Sequence, residues 1–198
     1  MEALIRKEDI IDFFNERASE WDARLVRNEA AISDILDAAG ITEGVRVLDV
    51  ACGTGVLFPD YLKRKTASVL GVDISSSMVE IARNKFARTG VDVLCADIME
   101  TDLSACFDRV VVYNAFPHFP DPAALIERLC GVLSPGGRLT IAHSMSRAQL
   151  DRHHSGAASG VSVGLMHEDE LASLMGRKLA VDIKISTHDR FIVSGARA

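Results

Sequence analysis

The sequence predicts a doubly wound α/β fold: a mainly parallel, seven-stranded sheet with helices on both faces, in a single domain. From Asn28 onward, strand and helix patterns alternate with no Pro/Gly/Ser-rich linker, repeat or low-complexity tract, as βαβ units require. The run Arg109-Val110-Val111-Val112-Tyr113 is apolar on both faces, which suits a central parallel strand covered by helices on each side. With 198 residues, 48% of them hydrophobic, one core suffices to bury about two-thirds of the unfolded surface.

Residues 8–24 read as an aromatic-bearing helix (Phe13, Phe14, Trp21) that precedes the alternation. Ile32, Ile35, Leu36 and Ala39 follow amphipathic helical spacing, and Gly40 stands where a helix C-terminal glycine belongs. Strands are expected at 46–50, 67–73 and 91–96, and Ser77 with Glu80 reads as a capping box for the helix carrying Met78, Ile81, Ala82 and Phe86. The strand at 109–113 belongs in the middle of the sheet. Asp121-Pro122 offers an N-cap and a proline at the first helical position. Ser134-Pro135-Gly136-Gly137 then turns the chain into a strand at 138–143. Residues 146–154 and 168–175 read as helices, and 179–185 and 190–194 as closing strands.

A formal net charge of −6 gives no general attraction to polyphosphate, and Lys63-Arg64-Lys65 reads as an exposed helix end. Cys52, Cys95, Cys106 and Cys130 form no C-x-x-C pair and lie in or beside apolar segments, as reduced core or site thiols of a cytosolic protein do. No stretch approaches the ~18 apolar residues that span a bilayer, and residues 1–16 are too charged for a signal peptide. A cytoplasmic protein without membrane insertion or nucleic-acid partner is expected.

A strand ending near Asp49, then Ala51-Cys52-Gly53-Thr54-Gly55 and a helix, puts a tight glycine turn at the carboxyl end of the first strand. Ligands of doubly wound folds bind there. Glycine lets backbone approach a ligand, and the helix N-terminus offers N–H groups to an anion. The dinucleotide fingerprint needs glycine at position 58, where Phe58 stands, so a nicotinamide cofactor is disfavoured. Asp49 suits an ammonium group. Asp73, ending the second strand, suits ribose hydroxyls, and Asp97 beside Ile98 suits an adenine.

The stretch Val47-Leu48-Asp49-Val50-Ala51-Cys52-Gly53-Thr54-Gly55 resembles the first motif of class I S-adenosylmethionine-dependent methyltransferases, and the aromatic segment Phe13 to Asp22 resembles the N-terminal helix that covers the pocket in their small-molecule, quinone-type members. The resemblance continues through Gly71-Val72-Asp73-Ile74-Ser75, Ala96-Asp97, Phe107-Asp108 and Leu133 to Leu139. It departs at Ala51, where many members carry glycine. It implies S-adenosyl-L-methionine as cofactor, leaving as S-adenosyl-L-homocysteine, with Asp49, Ala51, Cys52, Gly53, Thr54 and Gly55 at the methionine end. Asp73, Ile74 and Met78 then fall at the ribose, Asp97 and Ile98 at the adenine, and Asn114 on the wall after the fourth strand. The chain divides accordingly into a helical cap (1–27), a cofactor-binding core (28–145) and an acceptor-side insert with closing strands (146–198).

Methyl transfer from a sulfonium is an in-line displacement that depends mostly on positioning, with a general base needed only for a protonated acceptor. After the central strand the chain reads Tyr113-Asn114-Ala115-Phe116-Pro117-His118-Phe119-Pro120. The N/D-P-P-Y/F tetrapeptide of enzymes methylating exocyclic amines of nucleic acid is absent, and an apolar wall stands in its place. Five of the six histidines fall between positions 118 and 167, and His118 and His143, ending neighbouring strands, are the catalytic candidates. With His153 and His154 they form a candidate metal cluster, but no ligand spacing is diagnostic and no metal is predicted. Residues 155–166, rich in glycine and serine, are expected to loop over the acceptor. The expected activity is methyl transfer to a phenol, quinone-like carbon, thiol or amine. A macromolecular acceptor, or binding of the cofactor without turnover, are the alternatives.

Overall fold

The computed structural model describes residues 5–103, 106–147, 149–150 and 159–198. Five parallel strands, β1 (Arg46–Val50), β2 (Ser68–Asp73), β3 (Val91–Cys95), β4 (Phe107–Tyr113) and β5 (Leu133–His143), are followed by β6 (Ala180–Ser186) and β7 (Phe191–Ala196), which pair antiparallel with each other and, through β7, with β5. The sheet order is β3-β2-β1-β4-β5-β7-β6. The doubly wound, seven-stranded expectation holds, with β4 at the centre. The order reverses direction between β1 and β4, and this switch point opens the crevice in which such folds hold ligands.

The period-two alternation of strand side chains divides the core. Val110 and Val112 of β4 pack on one face with Leu125 and Leu129 of α5 (Pro122–Gly131) and Leu171 and Met175 of α6 (Glu168–Met175). Val111 packs on the other, with Ile32 and Leu36 of α2 (Glu29–Ala38), Phe58 and Tyr61 of α3 (Phe58–Lys63) and Ala82 of α4 (Ser76–Phe86). Burial of these apolar groups at roughly 25 cal/mol per Å² is the main stabilising term. The first helix, α1 (Lys7–Arg24), meets α4 rather than joining either layer.

Several local expectations hold. Asp121 caps α5, accepting from Ala124 N at 2.9 Å, with Pro122 at the first position, and Gly40 ends α2 at φ +65°. Others shift for physical reasons. The N-cap of α4 is Ser75 rather than Ser77, with its side chain accepting from Met78 N. Ser134-Pro135-Gly136-Gly137 is not a turn ahead of the fifth strand but an excursion inside it, where pairing jumps from Phe107↔Leu133 to Arg109↔Arg138. Cys95 and Cys106 are exposed, whereas Cys52 and Cys130 are buried. Most of the helix expected at 146–154 lies outside the described residues. No helix among the described residues is long and apolar enough to cross a membrane.

Candidate functional site

A cavity of about 360 Å³ lies at the carboxyl ends of β1 to β4, in the size range of small-molecule sites, roughly 300–1,000 Å³. Each strand delivers residues through the loop that follows it: Asp49, Ala51, Cys52 and Gly53 after β1, Asp73, Ile74 and Met78 at β2, Asp97 and Ile98 after β3, and Asn114, His118 and Phe119 after β4. Ile10, Phe14, Trp21 and Leu25 of α1 and its C-terminal flank close the remaining side.

Three carboxyl groups therefore face one space from successive strand ends, each in a different environment. Asp73 is buried, and its two oxygens accept from Gly53 N and Ser75 N, each at 2.8 Å. Burial raises its pKa, and the backbone N–H groups oppose that rise. Asp49 is only 2% exposed, and burial, with Asp73 nearby, pushes it up to about 8. The Tyr61 hydroxyl stands beside Asp49 without reaching normal hydrogen-bond geometry. Asp97 accepts from Lys7 Nζ at 2.9 Å and from Met99 N at 2.9 Å. A carboxylate offers about four lone pairs, so both contacts leave Asp97 capacity for a further donor.

The turn after β1 works differently from the sequence expectation. Gly53 has φ +55° and nothing within 4 Å of where its Cβ would stand, so the backbone there is open to close approach. Gly55, at φ +82°, faces away from the cavity, and a Cβ on it would lie 2.5 Å from the Phe58 ring. The helix N-terminus expected to receive an anion is displaced: α3 begins only at Phe58, has Pro59 in its first turn, and is six residues long. Ala51 adopts φ 55°, a left-handed conformation that costs an L-residue roughly 1–2 kcal/mol. Ala51→Gly is expected to stabilise the protein by about 0.5–1 kcal/mol once the greater freedom of unfolded glycine is counted, seen as a Tm rise of about 2 °C.

Polar contacts fasten α1 over the cavity. Lys7 bridges Asp97 and Glu100, Asn15 Oδ1 accepts from Ser75 Oγ at 2.7 Å and Ser77 N at 3.1 Å, and Asp22 accepts from Thr54 Oγ1 at 2.6 Å and Lys85 Nζ at 2.7 Å. Phe14 sits edge-on to Trp21 and to His118, whose ring centroid is 5.0 Å away. His118 Nδ1 lies 2.7 Å from the Val161 carbonyl oxygen. A carbonyl only accepts, so Nδ1 carries the hydrogen of that bond. Asn114, at φ 53°, uses Oδ1 to accept from Ser144 N and Nδ2 to donate to Ser144 Oγ, which fixes the loop after β4 against that after β5.

Of the residues singled out in the sequence, Asp49, Ala51, Cys52, Gly53, Asp73, Ile74, Met78, Asp97, Ile98, Asn114 and His118 line this one cavity. Thr54 and Gly55 do not; Thr54 is buried and engaged with Asp22. The expected pairing of His118 with His143 at the pocket is corrected. His143 is fully buried, lies opposite Phe191 in the β5–β7 ladder with ring centroids 6.2 Å apart, and is not on the cavity wall. His153 and His154 lie outside the described residues, among which no His/Cys/Asp/Glu group is placed to hold a metal. Lys7, Ile10 and Leu25 join the wall without having been singled out; the helix read at 8–24 was the available signal for Ile10.

Residues 47–137 match the methyltransferase domain family. The chain is 30% identical over 139 residues to the malonyl-[acyl-carrier protein] O-methyltransferase of Acetivibrio thermocellus, covering 69% of this chain and 49% of that protein. It is 37% identical over 100 residues to the ubiquinone biosynthesis O-methyltransferase of Xanthomonas euvesicatoria, covering 48% and 41%. The chain thus spans about half the length of the curated relatives it matches. Its fold superposes with a TM-score of 0.72 on the magnesium protoporphyrin IX methyltransferase of Synechocystis PCC 6803, solved with bound SAM, at 19% identity over 100% of both chains.

Proposed function

The chain belongs to the class I S-adenosylmethionine-dependent methyltransferases, and from that premise we propose that it transfers a methyl group from S-adenosylmethionine to a small, uncharged acceptor held between α1 and the loop after β4. The observation that carries this is the row of Asp49, Asp73 and Asp97 facing one cavity from consecutive strand ends, beside a glycine with open space over its Cα.

The residues fit the cofactor chemically. Asp73 accepts from the ribose hydroxyls while holding the Gly53 loop, and Asp97 with the buried Ile98 takes the adenine edge and face. Asp49 and the open Gly53 backbone take the amino-acid end. When bound, S-adenosylmethionine supplies an electrophilic methyl on a positive sulfur. The chain's contribution is to align an acceptor with it and to exclude water, which Phe14, Trp21, Leu25 and Phe119 do from the acceptor side. Lys7 is the one lysine or arginine on the described wall, and Asp97 and Glu100 engage it. Among the described residues of the wall, a carboxylate or phosphate on the acceptor would meet no lysine or arginine other than Lys7, so a neutral phenol or quinol suits that wall best. His118, on the cavity wall with its ring held against the Val161 carbonyl, is the candidate base for the hydroxyl proton.

The test is transfer of labelled methyl from S-adenosylmethionine to a panel of neutral phenols and quinols. Turnover is expected with the native chain and is expected to fall by about 10²–10⁴ in His118→Ala, with cofactor affinity changed by less than about threefold. Normal turnover in His118→Ala would remove the base from this position, and label found only in co-purifying RNA or protein would replace the small-molecule acceptor by a macromolecular one.

A further inference from the structure

Asp49 is buried in the cavity wall with no cation beside it among the described residues. The titratable groups that face it are Tyr61 from α3, Asp73 from β2 and the Cys52 thiol from the turn after β1. One of these is another acid, and burial keeps the other two neutral. A buried carboxylate in such company is strongly disfavoured unless a positive charge comes to it. Behind it, the fully buried Tyr61 hydroxyl has no hydrogen-bond partner among the described residues. Buried polar groups left in that condition are rare, and each calls for a functional or structural explanation.

We infer that Asp49 and Tyr61 form a proton-linked receptor for the cofactor's ammonium group: Asp49 waits as the neutral acid, gives its proton to solvent when the ammonium arrives, and Tyr61 then donates its hydroxyl hydrogen to the new carboxylate. The inference rests on the S-adenosylmethionine reading above. The balance is simple, because the O–H bond of Asp49 breaks, its proton goes to the buffer, and an ammonium–carboxylate pair remains. Tyr61 is a positioning residue in this scheme, touching Asp49 rather than the ligand.

The sign of the pH dependence follows. Burial holds Asp49 as the acid up to about pH 8, so below that pH binding must expel a proton and affinity falls by up to tenfold per pH unit. The ligand's own α-amine loses its proton above about pH 7.7–8.0, so affinity falls again on the alkaline side and peaks near pH 8. Without ligand, the native chain binds more protons at Asp49 than the unfolded chain between about pH 4 and 8, so Asp49 makes stability decline as pH rises through that window.

The experiment is calorimetric titration at pH 6.5 in buffers of different ionisation enthalpy, with S-adenosylmethionine and with 5′-methylthioadenosine, which lacks the amino-acid end. Close to one proton is expected to be released per S-adenosylmethionine bound, and none with methylthioadenosine. Asp49→Asn is expected to abolish the release. Tyr61→Phe is expected to weaken S-adenosylmethionine about tenfold at pH 6.5, leave methylthioadenosine within about twofold, and move the affinity optimum to higher pH. Binding without proton release, or an unchanged pH profile in Tyr61→Phe, overturns the receptor while leaving the cofactor reading intact. Failure of both ligands to bind the folded protein overturns both.

Discussion

Asp73→Ala is expected to weaken S-adenosylmethionine binding by at least about a hundredfold. The carboxylate does two things at once. Facing the cavity, it is the acceptor proposed for the ribose hydroxyls, and hydrogen bonds to a charged group are worth about 1.5–3 kcal/mol each. Facing the protein, it receives Gly53 N and Ser75 N at 2.8 Å each, tying the turn after β1 to the start of α4. Alanine removes the ribose contacts and leaves two inward-pointing N–H groups to find water. Asp73→Asn separates the two roles, because it keeps the shape and an acceptor oxygen but places an amide hydrogen against one of those donors. Titration calorimetry should therefore rank affinity as native, then Asn, then Ala, and thermal melting should show Ala several degrees below native. Native-like affinity in Asp73→Ala would remove Asp73 from the ribose site, whatever its effect on melting.

How much of this was legible in the sequence depended on whether local chemistry or tertiary docking decided each feature. The strand-end acids and Gly53 were legible because close ligand approach admits few residue types, and their order along a βαβ chain fixes which strand end each occupies. The cap of α4 was not. Ser75, Ser76 and Ser77 are equivalent as local N-caps, and the choice falls to Ser75 because Asp73 takes its N–H while Asn15, sixty residues away, takes its hydroxyl and the N–H of Ser77. The contacts of Lys7, Asn15 and Asp22 join positions 32 to 93 residues apart, a separation at which no spacing rule operates. His143 misled for a third reason. It ends a strand near the switch point, but it follows Leu139 and Ile141 on the face packed by α5 and α6, so strand alternation turns it into the core with Phe191.

Phe58 shows how one residue can be read correctly for its consequence without its cause being visible. Its presence where a dinucleotide turn needs glycine argued against a nicotinamide cofactor, and the structure supplies the reason. The ring is fully buried beneath the turn, where a Cβ on Gly71 would lie 2.5 Å from Phe58 Cζ and 2.8 Å from Cys52 Sγ. Phe58 and the missing side chain of Gly71 thus occupy one volume between β2 and α3. Gly71→Ala is expected to destabilise by about 2–3 kcal/mol through overpacking, and Phe58→Ala by about 3–5 kcal/mol through the cavity it leaves. Gly71 is the informative position because its backbone is ordinary extended strand, whereas at Gly55 the φ of +82° would strain any replacement regardless of space. If the two residues share that volume, the double variant should lose less than the sum of the single losses, by roughly 1–3 kcal/mol, measured by denaturant unfolding of all four proteins. Additive losses would mean that the ring and the glycine are not in competition, and that Gly71 is required by the strand itself. A coupled result would mean that the turn over Gly53 is shaped from below by an aromatic ring, which leaves the backbone above it open to a ligand while filling the place where a third glycine would let a helix close on a pyrophosphate.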